Sequence, residues 1–168
     1  MTYKVLGKKE WDENKPKFIT VPEDQYILRA YDVKTPEMKP KYQKPNETEE
    51  QVSIIFDIVS KKDGEKAIDN DGKDATGRKI FFTARPGSMG FKENGTVPSI
   101  TRQLVYYISD KDAFSDESIE FDFADFEGET ITAFVIEKPN QKGDMTNRID
   151  RFIKPAKKLS DEIPVVDV

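Results

Sequence analysis

The chain has 168 residues, 36% hydrophobic and 35% charged, with 11 Phe and 6 Tyr, which fits one aromatic-rich domain and argues against a wholly disordered chain. Its 27 basic and 32 acidic residues leave a formal charge of −5, excluding a histone-like polycation but not a basic groove on an acidic body. Neither Cys nor His occurs, which excludes disulfides, thiolate catalysis, Ser-His-Asp chemistry and Cys- or His-ligated metals.

Residues 1–20, polar and Lys-rich around Trp11, read as an N-terminal arm or lead-in strand. They lack the apolar stretch of a signal peptide. No run of about 18 apolar residues follows, so no membrane span is expected and the expected location is the cytoplasm. Residues 21–155 carry nearly all the periodic apolar pattern and form the expected domain. Alternation marks a first strand over 26–33 and a second over 52–59, where Val52, Ile54, Phe56 and Ile58 share a face. Between them, Pro36, Pro40 and Pro45 mark a long loop over 34–51, and Asp63-Gly64 and Asp69-Asn70-Asp71-Gly72 place turns in 60–76. A third strand is expected over 79–85. Ile100, Leu104 and Ile108 then recur every four positions, predicting a helix capped at Thr96 with Pro98 in its first turn. A short helical turn is expected near Asp122–Phe126, stopped by Gly128, followed by strands over 130–136 and 148–154.

Three strands, a helix and two more strands form the order of a five-stranded Greek-key OB-fold barrel with a helix between strands 3 and 4. The expected fold is therefore mainly β and of that type. Other small barrels and sandwiches share the strand count, and the helix position favours the OB-fold.

In the third strand, Ile80, Phe82 and Ala84 point one way, while Lys79, Phe81, Thr83 and Arg85 point the other. Two cations around an aromatic ring suit a single-stranded nucleic acid, since cations offset phosphates and a ring stacks on any base. The competing reading is a packed Phe81 beside solvated cations. OB-folds build their ligand surface from strands two and three with the flanking loops. To that surface we assign Arg29 and Tyr31 of the first strand, and Lys39, Lys41 and Tyr42 of the first loop. Phe91 and Lys92 follow the third strand, and Arg148, Phe152 and Lys154 come from the last. Acidic residues concentrate instead between Asp110 and Glu137, where they read as a solvated face.

Several chemistries fail on spacing. With Gly72 at the invariant glycine of a calcium loop, Ala67 falls on the first ligand and Arg78 on the last carboxylate. Gly87-Ser88-Met89-Gly90 matches neither a Walker loop nor a dinucleotide fingerprint. No catalytic residue, metal or cofactor is expected.

Val21-Pro22-Glu23-Asp24-Gln25-Tyr26-Ile27-Leu28-Arg29, Gly77-Arg78-Lys79-Ile80 and Asp125-Phe126-Glu127-Gly128-Glu129-Thr130 resemble the replication-module OB-fold single-stranded DNA-binding proteins of tailed bacteriophages. The resemblance spans roughly 21–155. Residues 156–168 read as an acidic, partly apolar tail, in which Asp161, Glu162, Ile163, Pro164, Val165 and Val166 form a candidate partner-binding segment. The tail is similar in character to the ends of bacterial single-stranded DNA-binding proteins, which recruit replication and repair enzymes. It departs from their usual Asp-rich, Phe-terminated tip by ending Val165-Val166-Asp167-Val168.

The expected function is non-catalytic coating of single-stranded DNA, with little sequence preference, during phage replication or recombination. RNA is an open alternative ligand. Replication or recombination proteins are expected partners through the tail, and a homo-oligomer is compatible with the sequence. The runner-up is a protein-interaction or virion-assembly module on a small β-barrel.

Overall fold

The computed structural model describes residues 1–14 and 19–155. The residues of the candidate tail segment, Asp161 to Val166, lie outside the described residues. The N-terminal segment contains a short helix, α1 (Lys8–Asn14), rather than a lead-in strand. The remaining architecture is a mainly antiparallel β structure, with strands β1 (Asp24–Val33), β2 (Glu37–Lys41), β3 (Lys44–Lys61) and β4 (Lys79–Ala84) in its first half. A two-residue pair, β5 (Phe91–Lys92) and β6 (Val97–Pro98), leads into helix α2 (Ile100–Ile108), and β7 (Thr130–Pro139) and β8 (Met145–Phe152) complete the sheet.

The longest strand organises this sheet. β3 pairs with β1 through Val33↔Ile54 to Tyr26↔Lys61, with β4 through Val52↔Ala84 to Asp57↔Lys79, and with β2 through its polar N-terminal half. β1 also pairs with β7, and β7 with β8, every pairing being antiparallel. Among the described residues β4 and β8 form no ladder with each other, so the strands do not close into a barrel. Their inner faces still meet, with the Phe82 and Phe152 rings edge-to-face at 5.2 Å.

The predicted loop over 34–51 is instead largely a hairpin. Lys39 pairs with Glu49 and Pro40 with Thr48, and the Lys41 ammonium reaches the Glu47 carboxylate at 3.1 Å. Cross-strand opposite charges hold a polar ladder that carries no apolar alternation, and Pro40 sits on a strand with no partner beyond β3, where a missing amide costs least.

The core lies beneath the inner face. Tyr26, Leu28, Ile54, Phe56 and Ile58 are almost fully buried, together with Leu104 and Val105 of α2. Phe56, Phe82 and Phe152 form an aromatic trio with centroid separations from 5.2 to 6.2 Å. Each such pair adds about 0.5–1.5 kcal/mol beyond area burial. A second trio, Phe121, Phe123 and Phe126, surrounds a 3₁₀ turn (Phe123–Phe126) capped by Asp122, whose carboxylate accepts from the Ala124 amide at 3.0 Å. Gly128 follows with φ +89°, and its amide donates to the Ala30 carbonyl at 2.7 Å.

Helix α2 starts later than expected. Ser99, not Thr96, is its N-cap and accepts from the Arg102 amide at 3.2 Å. Thr96 turns back to Glu93, and Pro98 belongs to β6. The helix bridges the open seam, because Thr101 Oγ1 accepts from the Arg85 amide at 3.0 Å and Gln103 Oε1 from the Phe152 amide at 2.9 Å.

Candidate functional site

The strict alternation of β4 leaves Phe81 on the outer face, 72% exposed. It lies opposite Ile55, while Lys79 lies opposite Asp57. On β1 the register with β3 slips between Ala30 and Asp32, leaving Tyr31 as the extra residue of a bulge. Bulges re-aim side chains, and the Tyr31 ring stands exposed with the Lys79 ammonium 3.4 Å from its centroid. Beneath these groups lies Asp57, only 5% exposed. A buried carboxylate needs paired charge. Arg29 donates to it twice, at 3.2 and 2.6 Å, and Lys79 approaches at 3.9 Å. The hydrogen bond to Asp57 raises the Arg29 pKa above its ordinary value.

Beside this platform runs a groove in two contiguous parts. The first, about 600 Å³, lies where the unpaired edges of β4 and β8 face each other, with Lys79, Phe81 and Arg148 on its walls and Ile100 and Ile149 on its lining. The second, about 610 Å³, runs between the hairpin tip and the loop after β4, and collects Lys41, Lys44, Arg85, Lys92 and Arg148 around one acid, Glu49. Arg85 and Arg148 line both. Glu49 is engaged by Gln51 at 2.9 Å and by Arg85 at 2.9 Å, and these hydrogen bonds, the Gln51 one foremost, hold its carboxyl below the ordinary value. Such a surface can accept a polyanion along its cations and flat rings on Tyr31 and Phe81.

Of the residues nominated from sequence, Lys41, Tyr42, Lys79, Phe81, Arg85, Lys92 and Arg148 line the groove. Arg29 and Tyr31 adjoin it through Asp57 and Lys79. Lys39 lies on β2 beside Glu37, at 3.7 Å, outside the lining. Three further nominated residues also lie off the groove lining. Phe152 is 3% exposed and belongs to the core trio, so it offers no ring to a ligand; the register shift of β8 opposite Phe134 and Val135 leaves Asp150 as an extra residue and turns both Ile149 and Phe152 inward, against simple alternation. Phe91, 40% exposed, lies off the groove lining, against the Arg102 guanidinium at 4.4 Å and Phe114 at 5.8 Å. Lys154 is paired with Asp112 at 2.6 Å, beyond the end of β8 and off the groove lining.

Two acids in or under the site, Asp57 and Glu49, escape sequence reasoning. A usable signal existed for Asp57 alone, as a charge inside the apolar run Ile54-Ile55-Phe56-Asp57-Ile58. The rejected calcium loop is held differently. Asp69 accepts from the Asp71 and Lys73 amides at 2.8 and 2.9 Å and pairs with Arg78, the residue occupying the final ligand position. Among the described residues no group of three or more acidic, His or Cys side chains is arranged to hold a metal ion, and no helix is long and apolar enough to cross a membrane.

A scan against known protein-family models finds no match, and a search of curated proteins finds no similar sequence.

Proposed function

We propose that the protein is a non-catalytic single-stranded DNA-binding protein that coats its ligand with little sequence preference, in the manner of the phage replication proteins it resembles. We read its strand order as an OB-fold whose barrel stays open between β4 and β8. The observation that carries the reading is the convergence of three basic segments, from the hairpin tip, the loop after β4 and β8, on one groove beside the exposed Phe81 ring. Cations along the groove would track phosphates while Phe81 and Tyr31 stack bases, each stacked base contributing about 1–3 kcal/mol.

The test is binding of labelled single-stranded DNA, single-stranded RNA and duplex of equal length across a salt series. Neutralising three phosphates implies a loss of roughly 20-fold in affinity between about 50 and 200 mM salt, from a slope near −0.7 per phosphate. Absence of single-strand binding at low salt refutes the proposal, and tighter RNA than DNA binding reassigns the ligand. The exposed Phe91–Phe114 pair, 40% and 57% exposed, favours a second reading as a protein-interaction or assembly module. That reading predicts a protein partner and no salt-dependent oligonucleotide binding.

A further inference from the structure

The cations around the groove differ in what already holds them. Arg29 spends two donors on Asp57, at 3.2 and 2.6 Å, and the Lys79 ammonium lies between the same carboxylate, at 3.9 Å, and the Tyr31 ring, at 3.4 Å. The Asp57 side chain is 7% exposed. A phosphate drawn to Arg29 or Lys79 meets two cations whose charge one carboxylate directly below them offsets by half. Pulling Arg29 away would leave the buried Asp57 with only the Lys79 ammonium at 3.9 Å, and pulling Lys79 away would strip the second cation from the carboxylate and the cation from the Tyr31 ring. Lys44, Lys92 and Arg148 are different: they line the 610 Å³ part of the groove and make no ion pair among the described residues. Arg85 is intermediate, shared with Glu49 at 2.9 Å.

We propose that Asp57 divides the site in two, holding Arg29 and Lys79 as supports of the aromatic platform while the phosphate track runs along Lys44, Lys92 and Arg148. The inference rests on the single-strand-binding reading above and deepens it. Asp57 is a positioning residue: it fixes Lys79, and Lys79 fixes the Tyr31 ring at the bulge of β1. Bases therefore lie toward β1 and β4, and the ligand backbone lies toward the hairpin tip, the loop after β4 and β8. This partition makes platform binding insensitive to salt and confines the ionic contribution to the unpaired cations.

The experiment measures the slope of log affinity against log salt for a labelled single-stranded oligonucleotide. Lys92→Gln and Arg148→Gln should each lower the slope by about 0.7, the value of one phosphate contact on a single strand. Lys79→Gln should weaken binding roughly two- to five-fold at every salt, the size of one cation–π contact, with the slope unchanged. Asp57→Asn should release one or two cations to the ligand and raise the slope by about 0.7 to 1.4. Equal slope losses in Lys79→Gln and Lys92→Gln overturn the partition. So does an unchanged slope in an Asp57→Asn protein that melts cooperatively. If Asp57→Asn fails to fold, the Lys79 and Lys92 pair decides alone. If the unsubstituted protein binds no oligonucleotide, the underlying functional reading falls, an outcome distinct from binding with equal slopes.

Discussion

Phe81 and Phe82 are consecutive residues of β4, yet the Phe81 ring is 72% exposed on the outer face while Phe82 packs against Phe56 and Phe152 on the inner one. The inner face closes the seam between β4 and β8 by ring contact where no backbone ladder forms. The outer face gathers Arg29, Tyr31, Lys79 and Phe81 over a single buried carboxylate. One residue type thus serves cohesion on one side and is left available on the other. The difference comes from strand alternation and from which neighbours each face meets.

Truncating one ring on each side separates the two roles. Phe152→Ala removes a ring from the core trio and should cost about 3–5 kcal/mol of stability, read from chemical denaturation, with the affinity of the folded fraction retained. A stable Phe152→Ala protein that has lost oligonucleotide binding would return Phe152 to the ligand surface. Phe81→Ala should do the reverse, lowering affinity by about 1–3 kcal/mol through lost stacking while shifting stability by no more than about 0.5 kcal/mol. Unchanged affinity would make the exposed ring a bland surface feature.

Acid should separate the fold from the groove. Asp69 is held below its ordinary value chiefly by the backbone hydrogen bond from Lys73, and Asp74 is lowered from 3.8 to about 2 chiefly by the hydrogen bonds of Thr76. A depressed folded-state value means the stabilisation is complete above the unfolded value. It is then lost as pH falls through the folded one. Melting temperature should therefore hold level down to about pH 5 and decline progressively toward about pH 2. Melting that is flat to about pH 2 would show that these turns add nothing to stability. The smallest effect is expected near neutrality. With no His or Cys in the chain, no side chain has its ordinary pKa between about 6 and 8, and affinity should be level across that range.

The apolar strands of the core were legible because burial on one face imposes a period of two, and Ile54, Phe56 and Ile58 or Ile131, Ala133 and Val135 display it. The β2–β3 hairpin was not, since its ladder is polar on both strands and the ion pair across it, Lys41 with Glu47, needs no buried face. Its prolines also read as breaks. Helix α1 was hidden for a similar reason: Lys8–Asn14 is polar, and Trp11 is 60% exposed. In the site, the face of β4 could be read residue by residue. The approach of Arg102 to Phe91 could not, because it depends on a residue of α2 meeting one of β5. Arg102 also donates to the Ala113 and Ser115 carbonyls at 2.7 and 3.2 Å, fixing that corner.

By itself the sequence determined a mainly β chain without His or Cys chemistry, the positions of its core strands, and two opposed faces on β4. These follow from composition and from local alternation, which need no knowledge of distant residues. Only the tertiary structure decided that β4 and β8 leave a seam open and that the hairpin tip, the loop after β4 and β8 converge on one groove. It alone decided that Asp57 lies beneath Arg29 and Lys79. Whether a cation is free or already paired depends on residues up to 42 positions away, and charge pairing across strands leaves no periodic trace in the chain.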